Sequence, residues 1–184
     1  MESRNRLIVI EAQFDVCGKT TVSQELVKLL GAALVKSPES PVAQFRKTYD
    51  ECGDFTARFL YYASATVLLS NHIRELLHTT DVVCDRYIAS TVFYHQALGV
   101  DTSMLDVGKL GLVLPDITFC LTCNEEVWRE RFAARGEIKE DHIEDTPGLR
   151  HKVEKLMKEN IPHHIDTSYT TPLEAAKQVA LAIG

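Results

Sequence analysis

Five short runs along the chain have the pattern of β-strands. They cover residues 7–11, 33–36, 82–85, 117–122 and 163–166. The first and fourth runs are almost continuously apolar rather than alternating, which is typical of strands covered on both faces in a parallel sheet.

Helical periodicity fills most of the sequence between these runs. In residues 19–30 the apolar positions Val22, Leu26, Leu29 and Leu30 lie on one helix face, and Gly31 marks the end. Further helices are predicted at residues 55–78, 89–98, 125–135, 149–160 and 173–183. Strands that alternate with helices predict a doubly wound α/β sheet, whose ligands bind where the strands end.

The size and charge of the chain narrow the class of protein. Its 184 residues predict one domain, and 20 basic against 26 acidic residues give a net charge of −6. This balance argues against a nucleic-acid polymer as the partner, although a small phosphorylated ligand needs only a few cations. We find no apolar stretch long enough for a signal core or a membrane span, and five cysteines without framework spacing, so we expect a cytoplasmic protein.

The segment after the first strand resembles a phosphate-binding loop, G-x-x-x-x-G-K-[ST]. Gly18, Lys19 and Thr20 match this pattern, whereas Gln13 replaces its first glycine. A turn at a helix N-terminus directs several backbone N–H groups towards an anion, and a lysine reaches the outer phosphates. The alternative is an ordinary tight turn with a solvated lysine.

Two further segments carry charges suited to phosphate chemistry. Asp85 and Arg86 end the third strand, where a carboxylate can hold Mg²⁺ and a guanidinium can bind phosphate oxygens. Arg131 and Arg135 lie four residues apart on one helix face, before a polar segment at about 136–148 that could cover a triphosphate as a lid. The alternatives are a surface ion pair and a solvated helix face.

These motifs occur in an order that resembles the thymidylate kinase family of nucleoside-monophosphate kinases. The match comprises Asp15–Thr21, Asp85-Arg86-Tyr87-x-x-Ser90 with Tyr94, Leu114-Pro115-Asp116, Arg131 with Arg135, and Ile165-Asp166. The resemblance implies a P-loop kinase with a five-stranded parallel sheet in the order 2-3-1-4-5, flanked by helices, and ATP and Mg²⁺ as cofactors.

The resemblance also implies roles for individual residues. Catalysis would fall to Lys19, Asp15, Arg86, Arg131 and Arg135. The ATP phosphates would bind Val16, Cys17, Gly18, Lys19, Thr20 and Thr21, and Mg²⁺ would bind Thr20 and Asp85. The acceptor would contact Asp15, Lys36, Arg46, Phe59, Tyr62, Thr66, Arg86, Ser90, Tyr94 and His95.

The acceptor pocket departs from the family pattern. Thr66 stands where the family has a base-recognising arginine, His95 where glutamine is common, and Ser37 where glutamate precedes proline. Threonine cannot make the two-point contact of an arginine. The donor chemistry therefore looks retained, while the acceptor's identity is open.

The leading hypothesis is transfer of the γ-phosphoryl group of ATP to a nucleoside monophosphate, thymidylate or a related nucleotide. One alternative is a kinase of the same fold that phosphorylates a nucleoside or a specialised metabolite, with Asp15 as the base. Another is a catalytically silent nucleotide-binding regulator. The long apolar helix predicted at residues 55–78 suggests a homodimer.

Overall fold

The chain folds around a five-stranded parallel sheet in the order β2-β3-β1-β4-β5. The computed structural model describes residues 4–135 and 148–184. The strands are β1 (Leu7–Ala12), β2 (Ala33–Lys36), β3 (Val82–Asp85), β4 (Ile117–Thr122) and β5 (His163–Asp166). The predicted strands and their order are therefore confirmed, with β1 one residue longer than expected.

Seven α-helices surround the sheet in the described part of the chain. They are α1 (Lys19–Leu30), α2 (Arg46–Asp50), α3 (Phe55–Leu76), α4 (Ile88–Ala97), α5 (Glu125–Arg135), α6 (Leu149–Asn160) and α7 (Pro172–Ile183). Three short 3₁₀ turns lie at Val42–Phe45, Thr102–Met104 and Val107–Lys109. Helix α2 was not predicted, because its five residues span little more than one turn and show no helical periodicity.

Capping side chains account for where two of the helices, α3 and α7, begin. The Asp54 carboxylate accepts hydrogen bonds from the backbone N–H groups of Thr56 and Ala57, which otherwise lack a partner at the start of α3. Thr171 and Glu174 form a reciprocal capping box at the start of α7, with Pro172 at the first helical position.

The core lies on both faces of the sheet, and β1 shows why. Its side chains alternate, so that Ile8 and Ile10 pack into a cluster with residues of α1 and α7. Leu7 and Val9 pack into a second cluster with residues of α3. A central strand covered on both faces has no polar face, which is the physical origin of its continuous apolar sequence.

Strand register brings three carboxyl ends to one edge of the sheet. Asp85, the last residue of β3, lies beside Ile10 of β1 and Lys36 of β2. The loops that follow these strands therefore meet at this edge, as the doubly wound topology predicts.

Helix α3 is the longest helix, yet no helix in residues 4–135 and 148–184 combines the length and apolar content that a membrane span needs. Its surface exposes Leu60 and Leu68. The single domain and the homodimer both stay predictions. Residues 136–147 of the predicted lid lie outside the described residues.

Candidate active site

The turn from β1 into α1 has the backbone of a phosphate-binding loop. Gly18 is the N-cap of α1 and adopts a left-handed conformation with φ 86°. Val16 is also left-handed, with φ 57°, a conformation that costs an L-residue energy. The loop therefore carries local strain of the kind that functional turns retain.

Gln13 takes the place of the missing glycine and lines neither of the two cavities that border the loop. Its side chain is buried, and its backbone N–H donates to the carbonyl of Leu121 at 3.2 Å. The Tyr94 hydroxyl donates to the Gln13 carbonyl at 3.0 Å. Position 13 thus extends the sheet, and the left-handed residues of the loop are Val16 and Gly18.

Lys19 is buried under the loop that it follows. Its Nζ donates to the Phe14 carbonyl at 3.3 Å and lies 3.5 Å from the Asp15 carboxylate. Burial lowers the pKa of Lys19, and the like charge of Arg86 lowers it further. Incoming phosphate anions would favour the charged ammonium form, so binding and charging of Lys19 are coupled.

Asp15 joins the loop lysine to Arg86. Its carboxylate contacts an Nη of Arg86 as well as Lys19. Burial alone would raise the pKa of Asp15, but Arg86 and Lys19 outweigh it and hold that pKa well below its usual range. Asp15 is therefore an ionised carboxylate that organises two cations.

Arg86 is held in a strained turn by a buried glutamate. It has φ 71°, and its Nη1 donates to the Ser90 hydroxyl at 3.2 Å. Beneath it the fully buried Glu11 carboxylate accepts from the backbone N–H groups of Tyr87, at 3.0 Å, and Ser90, at 3.2 Å. Burial raises the pKa of Glu11, although these hydrogen bonds oppose the rise.

Glu11 was not predicted as part of the site. The signal available was an acidic residue at the end of an otherwise apolar strand, since a buried carboxylate is rare unless it is paired. Its role here is to close the start of α4 and so to aim Arg86.

Asp85 presents a carboxylate beside the loop threonine. Its Oδ2 accepts from the Thr20 hydroxyl at 2.7 Å and lies 3.8 Å from Lys36 Nζ. Its Oδ1 is buried, with no hydrogen-bond partner among the described residues. A hydroxyl and a carboxylate with an unused oxygen fit Mg²⁺, which binds few protein oxygens and completes its shell with phosphate and water.

A cavity of about 460 Å³ joins these groups. It reaches from the phosphate-binding loop to α3 and α4. The predicted site residues in its wall are Asp15, Val16, Gly18, Lys19, Thr20, Thr21, Lys36, Arg46, Tyr62, Asp85, Arg86, Ser90, Tyr94, His95 and Arg135. Most of the predicted constellation is therefore in one place.

A second cavity of about 370 Å³ also borders the loop. Cys17 and Arg131 line it together with Thr167 and the segment 170–172. Arg131 donates from Nη1 to the Thr167 hydroxyl at 3.2 Å and from Nη2 to its carbonyl at 2.5 Å. This cavity shares Val16, Gly18 and Thr21 with the first, so both open onto the same turn.

Comparison with known sequences decides the family. The family model described as thymidylate kinase matches residues 14–178. The chain belongs to the thymidylate kinase family. The predicted family and class of enzyme, a nucleotide kinase that uses ATP as phosphoryl donor, are thereby confirmed.

Individual relatives agree with this assignment. A probable thymidylate kinase of Methanocaldococcus jannaschii is 30% identical over 132 residues, covering 69% of each chain. The thymidylate kinase of Caenorhabditis elegans is 26% identical over 176 residues, covering 85% of this chain and 78% of its own.

Solved structures share the fold. Thymidylate kinase from Candida albicans superposes with a TM-score of 0.80 at 23% identity, covering 100% of this chain and 92% of its own. The enzyme from Ehrlichia chaffeensis gives 0.66 at 20% identity, covering 99% and 100%. The predicted P-loop kinase architecture is confirmed.

Two of the predicted acceptor-binding residues do not line either cavity. Phe59 is fully buried, with its ring 5.4 Å from the ring of His95. Thr66 is also fully buried, and its hydroxyl donates to the Tyr62 carbonyl one turn earlier at 2.9 Å. Neither side chain reaches the cavity, because Phe59 packs in the interior and Thr66 is buried further along α3 with its hydroxyl bonded to its own helix.

The cavity wall contains polar residues that sequence reasoning missed. Arg58 and Thr91 line it, and Asp50 contacts Arg58 from the end of α2. Arg58 lies four residues before Tyr62 on the same ridge of α3, which is the sequence signal that could have identified it.

Proposed function

We propose that this chain transfers the γ-phosphoryl group of ATP to the phosphate of a nucleoside monophosphate, with thymidylate as its preferred acceptor. The observation that carries the proposal is the Lys19–Asp15–Arg86 contact. It sets the loop lysine, which serves the donor phosphates, next to an arginine placed to bind an acceptor phosphate. The names of the relatives support thymidylate as the acceptor.

The donor occupies the loop and the second cavity. Its phosphates lie at the N-terminus of α1, where backbone N–H groups and the helix dipole favour an anion. Its base extends towards Arg131 and the segment 170–172, which line the second cavity. Thr20 and Asp85, which are hydrogen-bonded to each other, would hold Mg²⁺, and the ion would neutralise phosphate charge.

An acceptor that is already anionic suits the chemistry of the site. Asp15 is held ionised by two cations and is therefore a weak proton acceptor for a neutral hydroxyl. A phosphate acceptor needs no strong base, so catalysis rests on positioning and on neutralising charge as the phosphoryl group moves. Lys19 and Arg86 supply positive charge from inside the cavity, and Arg135 adds to it from the wall.

The test is to incubate the protein with Mg-ATP and a panel of nucleoside monophosphates, nucleosides and small alcohols, and to quantify ADP and the phosphorylated product. We expect thymidine diphosphate to form fastest. Transfer only to a non-phosphorylated acceptor would contradict the proposal. ATP binding without acceptor-dependent ADP would instead indicate a silent nucleotide-binding protein.

Two variants of α1 provide a matched pair of controls. Lys19→Met removes the buried loop ammonium and should lower kcat by about 10²- to 10³-fold, the effect of losing one charge-stabilising group. Lys28→Met removes an exposed lysine whose partner is Glu25 on the same helix, and should retain full activity. Equal activity of the two variants would refute the role given to Lys19.

A further inference from the structure

One polar cluster beside the first cavity is not used by the phosphoryl transfer proposed above. It consists of Arg46, Asp50, Arg58, Tyr62 and His95, here called the Asp50 cluster. The Asp50 carboxylate accepts from Arg46 Nε at 3.1 Å, Arg58 Nε at 2.8 Å and the Tyr62 hydroxyl at 2.9 Å. Both carboxylate oxygens are engaged, so Asp50 positions its neighbours rather than binding a ligand.

Arg58 contacts three other members of the Asp50 cluster. Besides the bond to Asp50, its Nη1 lies 3.2 Å from His95 Nε2, and its guanidinium carbon lies 4.9 Å from the centre of the Tyr62 ring. Its side chain is only 14% exposed. In the described part of the chain no hydrogen bond uses Nη2, so Arg58 can offer donors to a ligand in the cavity whose wall it forms.

The neighbouring histidine cannot offer a donor of its own. His95 Nδ1 lies 2.6 Å from the Thr91 carbonyl, which only accepts, so Nδ1 carries the proton and Nε2 accepts from Arg58. The phenolic proton of Tyr62 is directed to Asp50. The hydrogen-bonding groups that this part of the wall offers to a ligand are therefore arginine N–H groups.

We propose that Arg58 recognises the base of the acceptor, and that this base presents a ring carbonyl to it. The inference rests on the proposed function and names the residue of this chain that distinguishes a thymine- or uracil-type base from a cytosine-type base. A guanidinium only donates, so a carbonyl oxygen completes a charge-assisted hydrogen bond. The exocyclic amino group of a cytosine-type base is itself a donor. It would face the donor N–H groups of Arg58 and leave a buried N–H without a partner.

The placement of Arg58 explains how the pocket can bind a base although threonine stands at position 66. Arg58, Tyr62 and Thr66 follow one another at intervals of four, along one ridge of α3. Thr66 is buried and bonded to its own helix, so it cannot reach a base. The guanidinium enters the cavity two turns earlier on the same ridge.

The experiment compares thymidylate with deoxycytidylate in the wild type, Arg58→Met and Arg58→Lys. Calorimetry gives the affinity for each monophosphate, and kinetics give each kcat/KM where turnover occurs. The lysine variant keeps a cation beside Asp50 but lacks the planar fork that serves several acceptors at once. Arg74→Met is the control, because Arg74 bonds Asn71 and the Gly111 carbonyl on the exposed part of α3.

The wild type and Arg74→Met should prefer thymidylate, and both Arg58 variants should lose this preference by about 10- to 100-fold, the effect of one unpaired buried donor. The loss should appear as a higher KM for thymidylate. KM for ATP should stay unchanged, and this also shows that the variants are folded. If an Arg58 variant still binds ATP and keeps the wild-type preference for thymidylate, the inference is wrong. It is also wrong if the wild type binds thymidylate and deoxycytidylate equally, or binds neither. If the protein binds thymidylate more tightly than deoxycytidylate through Arg58 but shows no turnover, the proposed function is wrong and the inference about Arg58 stands.

Discussion

Replacing His95 with glutamine should remove a pH dependence from the stability of the fold. His95 is buried, and that burial, followed by the nearby Arg58, lowers its pKa from 6.5 to about 4, while the Thr91 carbonyl and Asp50 oppose the shift. The unfolded chain therefore takes up a proton near pH 6.5 that the folded protein accepts only near pH 4. Stability from this group is complete above pH 6.5 and is lost as the pH falls towards 4.

The size of the effect follows from the two pKa values. The full difference corresponds to about 3 kcal/mol, and about 2 kcal/mol of it is lost on going from pH 7.5 to pH 5. Carboxylates elsewhere in the protein also titrate in this pH range, in wild type and variant alike. The informative quantity is therefore the difference between the two proteins in unfolding free energy. Glutamine can donate to the Thr91 carbonyl and accept from Arg58 as His95 does, but it does not titrate.

Urea unfolding, followed by the fluorescence of the single tryptophan, Trp128, measures this difference. Between pH 7.5 and pH 5 the wild type should lose about 2 kcal/mol more unfolding free energy than His95→Gln. Equal losses in the two proteins would refute the reasoning. So would a nuclear magnetic resonance titration that finds the His95 ring protonated at pH 6.

Three further substitutions test the remaining structure. Asp85→Asn should raise the Mg²⁺ concentration for half-maximal activity by about 10- to 100-fold, as a Mg²⁺ titration of kcat would show. Gly18→Ala should cost about 1–2 kcal/mol in urea unfolding, because an L-residue is strained at φ +86°, although the new Cβ meets Thr21 only at ordinary contact, 3.6 Å. Met157→Ala should cost about 2–5 kcal/mol in the same assay, because Met157 is fully buried in the cluster with Leu149 and Val153; a loss below 1 kcal/mol would contradict the packing described for α6.

Much of the candidate site could be predicted because its residues are close in sequence to structural signals. Gly18, Lys19 and Thr20 follow a buried strand directly, so the local turn alone decides where they lie. Asp85 and Arg86 end another strand, and the rule that parallel strands end at the same edge brings them to the loop. These inferences needed only hydrophobic periodicity and topology.

The acceptor side could not be predicted in the same way. Phe59 and Thr66 were expected in the pocket, but both are fully buried by the elements packed against α3 and line neither cavity. Arg58 was not expected there, since its position depends on Asp50 of α2 and His95 of α4, which are 8 and 37 residues away. No periodicity relates such contacts.

The sequence by itself determined the strands, the main helices, the phosphate-binding turn and the charged strand end, because each is set by interactions within a few residues or by a topological rule. Only the tertiary structure decided that the Glu11 carboxylate bonds the backbone after Arg86, and that Arg58 lines the first cavity between Asp50 and His95. Those outcomes depend on which buried polar groups find partners across the fold. Pairing of this kind is a property of the packed chain, since an unpaired polar group is costly only once water has been excluded.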